Sequence, residues 1–148
     1  MAVFAQNKKA YHDYEILDEY EAGLALHGHE VKSIKLGRAS LKGARVVVRG
    51  GEAFLIGASI PAYQVANTPD SYDPERARRL LLSKKEIGKL IGKEQEKGLT
   101  LPALSLYNKD RYIKLKFAMA RGKKKRDKRE EIRKRDLERD LRRSLKYS

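Results

Sequence analysis

Between Arg111 and Ala120 apolar residues recur at every second position. Ile113, Leu115, Phe117 and Met119 fall on one side, and Tyr112, Lys114 and Lys116 on the other. A period of two predicts a half-buried antiparallel strand, here with an open face that is basic and aromatic. Tyr11 to Tyr20 alternates more loosely and predicts a strand continued by Leu24 to Leu26 after a turn at Glu21 to Gly23. After Gly28 the period lengthens: Val31 and Ile34 are three apart and Gly37 can stop a helix, so a short helix is expected over His29 to Leu36. Arg45 to Arg49 and Ala53 to Ile56 flank Gly50-Gly51, which supplies the positive φ angles of a tight hairpin turn. Ile60 to Tyr63 reads as one more short strand and Asn67 to Pro74 as a loop. Ser83 and Glu86 form a capping box ahead of a helix that carries Ile87, Leu90 and Ile91 and ends at Gly98. Leu99 to Tyr107 is a further strand, turned back by Asn108 to Asp110. Met1 to Lys9 carries only a short polar lead. Five or six short antiparallel strands with helices inserted between them predict a mainly β fold, a small OB-type barrel with a basic C-terminal tail.

Charge divides the chain in two. The last 28 residues hold 14 Lys/Arg against 6 Asp/Glu, and the first 120 hold 20 against 14. Residues 1–120 are therefore expected to form the body, and residues 121–148 a basic tail. Within the tail Leu137, Leu141 and Leu145 make a stripe one residue wide, and Ile132 lies roughly 140° from it. So narrow a stripe cannot dock a helix on a core. The tail is expected to be disordered when free and to become helical when phosphates neutralise its cations. A basic domain with such an arm implies a polyanionic partner, RNA before membrane, because no broad apolar face accompanies the charge.

There are no cysteines, which excludes disulfides, thiol catalysis and Cys-based zinc sites. No run approaches ~18 apolar residues and no signal-peptide pattern opens the chain. A cytoplasmic monomer without cofactor is expected. His27, His29 and Glu30 invite a metal reading, but positions i and i+2 share a face only on a strand, and the local pattern is helical. Gly88 to Lys93 lacks the spacing and the Ser/Thr of a phosphate loop. Catalysis is not expected. Arg76, Arg78 and Arg79 lead from a polar loop into Leu80-Leu81-Leu82. Guanidinium groups pair with phosphate and stack on bases, so these three are candidate RNA contacts that Lys114 and Lys116 could extend.

Several stretches resemble the SsrA-binding protein family, also called small protein B. They are Asn7 to Tyr14, Glu21 to Ile34, Asp73-Pro74 with Arg76 to Leu82, Gly98 to Thr100, and Gly122 to Lys124 with Asp127 to Arg129. The resemblance runs nearly end to end. It implies an OB-type barrel that binds the tRNA-like domain of transfer-messenger RNA (tmRNA), and a tail that enters the small-subunit decoding centre and mRNA channel of a stalled ribosome, where it becomes helical. By motif position it implies Glu30, Leu81 and Lys114 as main RNA-binding determinants. Glu30 would either accept hydrogen bonds from RNA or hold a neighbouring cation such as Lys32. Leu81 would touch a base or support the arginine loop. In the tail the resemblance implies Asp127, Lys128 and Arg129, alongside the basic Lys123, Lys124 and Arg126, with Arg126 standing where many members carry an aromatic residue or His. The other reading of a basic body with an arm is a structural ribosomal protein whose arm threads rRNA.

Overall fold

The computed structural model of the chain describes residues 2–123 except 65, 67, 95 and 97. Lys124, Arg126, Asp127, Lys128 and Arg129 lie outside the described residues. The elements run β1 (Val3–Gln6), α1 (Lys8–Asp13), β2 (Tyr14–Leu24), α2 (Gly28–Lys35), β3 (Arg45–Arg49), β4 (Glu52–Ile56), β5 (Arg78–Leu81), α3 (Lys84–Glu94), β6 (Leu99–Thr100), β7 (Ala103–Lys109) and β8 (Tyr112–Gly122). The fold is mainly antiparallel β with helices inserted between strands, as the alternation predicts.

The strands follow the order β1-β7-β8-β2-β5-β4-β3, with β6 also on β8. This sheet curls until β3 meets the segment just before β7. There the Val46 N–H donates to the Leu101 carbonyl at 2.7 Å and the Ala103 N–H to the Ala44 carbonyl at 3.0 Å. A single bridge, Arg45 with Pro102, marks that seam. The barrel is laced there and not closed by a ladder, because Pro102 has no N–H to continue one. Val46, Leu55, Leu80, Leu106, Leu115 and Phe117 fill the interior, and Ile34 of α2 and Leu90 of α3 plug it. Tyr20 stacks on Phe117 with ring centroids 5.5 Å apart.

The β3–β4 hairpin turns at Gly50 and Gly51, with φ of 59° and 77°. Helix α3 begins where expected: the Glu86 N–H donates to Ser83 Oγ at 3.2 Å while Ser83 Oγ donates to Glu86 Oε1 at 2.9 Å.

Four expectations are corrected. The short polar lead is β1 plus the start of α1, and residues 11–13 are helical, not extended. Asn7 explains this: its Oδ1 accepts the Ala10 N–H at 3.3 Å as an N-cap, and its Nδ2 donates to the Ala103 carbonyl at 2.9 Å. Helix α1 then covers Leu104 and Ala118 through Ala10, so β8 is buried on both faces from Phe117 to Ala120. Residues 60–63 form no strand. Residues 78–81 do, pairing with both β2 and β4. Finally, the body runs past residue 120: β8 reaches Gly122, and the Lys123 N–H donates to the Asp13 carbonyl at 2.9 Å.

Candidate nucleic-acid interface

The outer face of β5, β2 and β8 carries one row of residues set by strand register. Gly23 of β2 stands opposite Leu81 of β5 on one side and Lys114 of β8 on the other. A Cβ on Gly23 would lie 3.4 Å from Leu81 Cδ1 and 3.7 Å from Lys114 Nζ, so the missing side chain lets the two approach. Leu81 is 54% exposed. Arg79 shares its side of β5 and pairs loosely with Glu52 at 3.5 Å; Lys116 does the same with Glu19 at 3.5 Å. Pairs this exposed contribute little to stability and release readily to a phosphate. Two positions before Gly23, Glu21 accepts hydrogen bonds from the Tyr107 hydroxyl and from Lys109 Nζ. The Tyr107 bond, aided by Lys109 and opposed by burial, holds the Glu21 carboxyl below the usual range. Burial and Glu21 push the Tyr107 phenol up.

A second cluster lies under this face. Glu30 of α2 has no exposed surface and neither does Arg78 of β5. Arg78 Nε and Nη2 donate to Glu30 Oε2 at 2.9 and 2.8 Å. The remaining Arg78 protons reach the Ala58 carbonyl at 3.1 Å, the Pro74 carbonyl at 2.9 Å and the Tyr72 hydroxyl at 3.0 Å. Arg76, partly exposed, donates through Nε to Glu30 Oε2 at 3.1 Å and through Nη2 to Oε1. The His27 N–H donates to Glu30 Oε1 at 2.8 Å, capping α2. Thus one carboxylate ties the helix start, the loop before β5 and β5 itself.

Burial alone would raise the Glu30 pKa, but the donors from Arg76, His27 and Arg78 outweigh it and bring it from 4.5 to about 2. The folded state therefore binds this proton less tightly than the unfolded chain. The cluster's stabilisation is complete above pH 4.5 and disappears as pH falls toward 2. Acid unfolding followed by far-UV circular dichroism is expected to show a loss of roughly 3 kcal/mol across that window, and Glu30→Gln should flatten it.

The family model for SmpB protein matches residues 4–147. The chain belongs to the SmpB family. An SsrA-binding protein of Carboxydothermus hydrogenoformans is 48% identical over 144 residues, covering 97% of this chain and 96% of the relative. That of Thermosipho africanus is 48% identical over 147 residues, covering 99% and 98%. A solved chain from a structure described as "tmRNA-SmpB: a journey to the center of the bacterial ribosome" superposes with a TM-score of 0.67 at 44% identity, covering 81% of this chain and 84% of that one.

In this SmpB-family chain the fold brings Leu81, Lys114, Arg79 and Lys116 onto one face and leaves Glu30 beneath it. Of the two roles open to Glu30, holding a cation is the one its geometry fits, with Arg76 and Arg78 as the cations. Lys32 is not held by Glu30; its Nζ lies over the Tyr63 ring, 5.5 Å from the centroid. Arg78, expected among the RNA contacts, is corrected to a core residue: the alternation of β5 points it inward with Leu80 and turns Arg79 and Leu81 outward. The carboxylate that does border the Leu81–Lys114 row is Glu21, which sequence reading passed over as part of a turn. Its signal was the two-residue spacing from Gly23 along an extended strand. His27 and His29 stack with centroids 5.7 Å apart, and His29 meets the Tyr72 ring edge-on at 4.6 Å. Lys123, expected in the tail, also donates through Nζ to the Tyr11 carbonyl at 3.4 Å. Among the described residues no helix is long and apolar enough to cross a membrane.

Proposed function

We propose that this protein is an RNA-binding adaptor that grips the tRNA-like domain of tmRNA on its β5–β2–β8 face and delivers it to stalled ribosomes. The observation that carries this reading is the Leu81–Gly23–Lys114 row, an exposed apolar residue and a cation set side by side in a chain of the SmpB family. Lys114, Lys116 and Arg79 neutralise phosphates, Leu81 contacts a base or sugar, and Glu21 accepts hydrogen bonds at the border. Arg76 is the exchangeable guanidinium, since Arg78 keeps Glu30 compensated when Arg76 turns outward. Lys123 and Lys124 with Arg126, Asp127, Lys128 and Arg129 enter the small-subunit decoding centre and mRNA channel, where the tail becomes helical. The protein positions RNA in the cytoplasm as a monomer and performs no chemistry itself. Similarity to SsrA-binding proteins along nearly the whole chain favours the adaptor over a structural ribosomal component.

One experiment tests both the partner and the division of labour. RNA recovered with the wild-type protein is expected to be enriched in tmRNA. Lys114→Glu should lose that RNA, because reversing the charge removes one phosphate contact and adds a repulsion, whereas Lys128→Glu should retain it. Equal recovery with the two variants would refute the assignment of RNA capture to this face.

A further inference from the structure

Helix α1 is six residues long and buries only Ala10, against Leu104 and Ala118. A helix this short is not stable by itself, and one buried alanine gives it little apolar hold. Asn7 supplies what is missing. It is 6% exposed and grips the start of β7 at two consecutive residues. Its backbone N–H donates to the Leu104 carbonyl at 2.8 Å, and its Nδ2 donates to the Ala103 carbonyl at 2.9 Å. Through Oδ1 it caps α1 at the Ala10 N–H. One side chain therefore both starts the helix and ties it to the barrel.

The far end of α1 holds the end of the last strand. The β2–β8 ladder finishes at the pair Tyr14 and Gly122. One residue further, the Lys123 N–H donates to the Asp13 carbonyl at 2.9 Å and Lys123 Nζ donates to the Tyr11 carbonyl at 3.4 Å. The last carbonyls of a helix lack partners within it and carry partial negative charge, so a lysine suits them. Asn7 and Lys123 thus sit at opposite ends of one short helix, and the basic arm starts from the second.

This arrangement matters for the arm more than for RNA capture. On the adaptor reading the arm makes its contacts inside a channel of fixed shape. A helix advances about 1.5 Å per residue, so a displacement of its root is carried to every contact beyond. The Leu81–Gly23–Lys114 row lies on β5, β2 and β8, whereas Asn7 holds β7.

We infer that Asn7 is a positioning residue for the arm. Acting through α1, it fixes Lys123 and with it the point from which the arm enters the ribosome. This rests on the adaptor reading above and adds to it a residue of the body that serves the arm and not the RNA face.

The test follows tmRNA-dependent tagging of proteins on stalled ribosomes by the full-length protein, beside its affinity for the tRNA-like domain. Asn7→Ser keeps a hydroxyl that can cap α1 but is too short to reach Ala103. In a second variant a Gly-Ser-Gly insertion after Lys123 leaves α1 intact and uncouples the arm from it. Each is expected to lower the tagging rate at saturating protein by about tenfold or more. Affinity for the tRNA-like domain should stay within about twofold of wild type, as for a distant site. Combined, the two changes should cost no more than either alone, because both break the same coupling. Amide exchange at Lys123 should quicken in Asn7→Ser. Asn7→Ser tagging at the wild-type rate, or a double variant whose loss is the product of the two, overturns the inference and leaves the adaptor reading standing. If Asn7→Ser does not fold, the insertion decides: a tagging defect with unchanged RNA affinity supports the anchor, and wild-type tagging overturns it. If the wild-type protein drives no tmRNA-dependent tagging, the adaptor reading falls and the positioning role with it.

Discussion

Glu30→Ala is expected to cost the fold roughly 3–5 kcal/mol, the scale for breaking a buried ion pair from one side. The loss arises less from missing attraction than from what stays behind. Arg78 has no exposed surface, and without Glu30 its charge keeps only the Ala58 and Pro74 carbonyls and the Tyr72 hydroxyl. The His27 N–H at the start of α2 loses its acceptor as well. For a domain whose net stability lies within about 5–15 kcal/mol, this is a large fraction. Denaturant unfolding of the variant should show a lower midpoint with a similar slope. Glu30→Leu combined with Arg78→Met should recover much of the loss, since replacing both leaves no fully buried charge uncompensated. A single-variant loss below about 1 kcal/mol would mean that water already compensates Arg78, and the central role given to this cluster would be wrong.

Ending the chain after Lys123 is expected to abolish ribosome rescue while leaving unfolding of the body and its affinity for the tRNA-like domain nearly unchanged. Among the described residues the core extends along β8 through Phe117, Met119 and Ala120. The removed residues offer a stripe only one leucine wide, too narrow to add to that core. They do remove much of the chain's cationic excess, so non-specific RNA binding should weaken and become less salt-dependent. Rescue is measured by tagging of proteins on stalled ribosomes, stability by thermal unfolding. A sharp drop in the unfolding midpoint would show that the basic segment supports the barrel, against the separation of roles proposed here.

The parts of the fold that were legible in the sequence are those whose signal is local. Gly50-Gly51 announces its hairpin because φ angles of 59° and 77° are accessible to glycine without penalty. Ser83 and Glu86 announce α3 because each satisfies a backbone or side-chain group of the other. The outward lysines of β8 follow from a period of two. The first helix is short and its cap, Asn7 Oδ1 on the Ala10 N–H, is a weak signal alone; it is fixed in place by the Asn7 Nδ2 bond to Ala103, 96 positions away. Strand β5 was illegible because its residues, Arg-Arg-Leu-Leu, carry no alternation; both its register and its inside were imposed by β2 and β4.

By itself the sequence determined a mainly antiparallel β body, a basic outer face on its last strand and a cationic C-terminal segment, since period, turn chemistry and charge act over a few residues. Only the tertiary structure decided which guanidinium is buried and which is left exposed. Arg76, Arg78 and Arg79 are chemically equivalent in the chain, and nothing local to Glu30 says which of them it holds. Packing α2 across the barrel buried that carboxylate. A buried charge must find its counter-ion, so Arg78 was drawn inward, Arg79 and Leu81 were turned outward by the pleat, and Glu21 came to border the row that Leu81, Gly23 and Lys114 form.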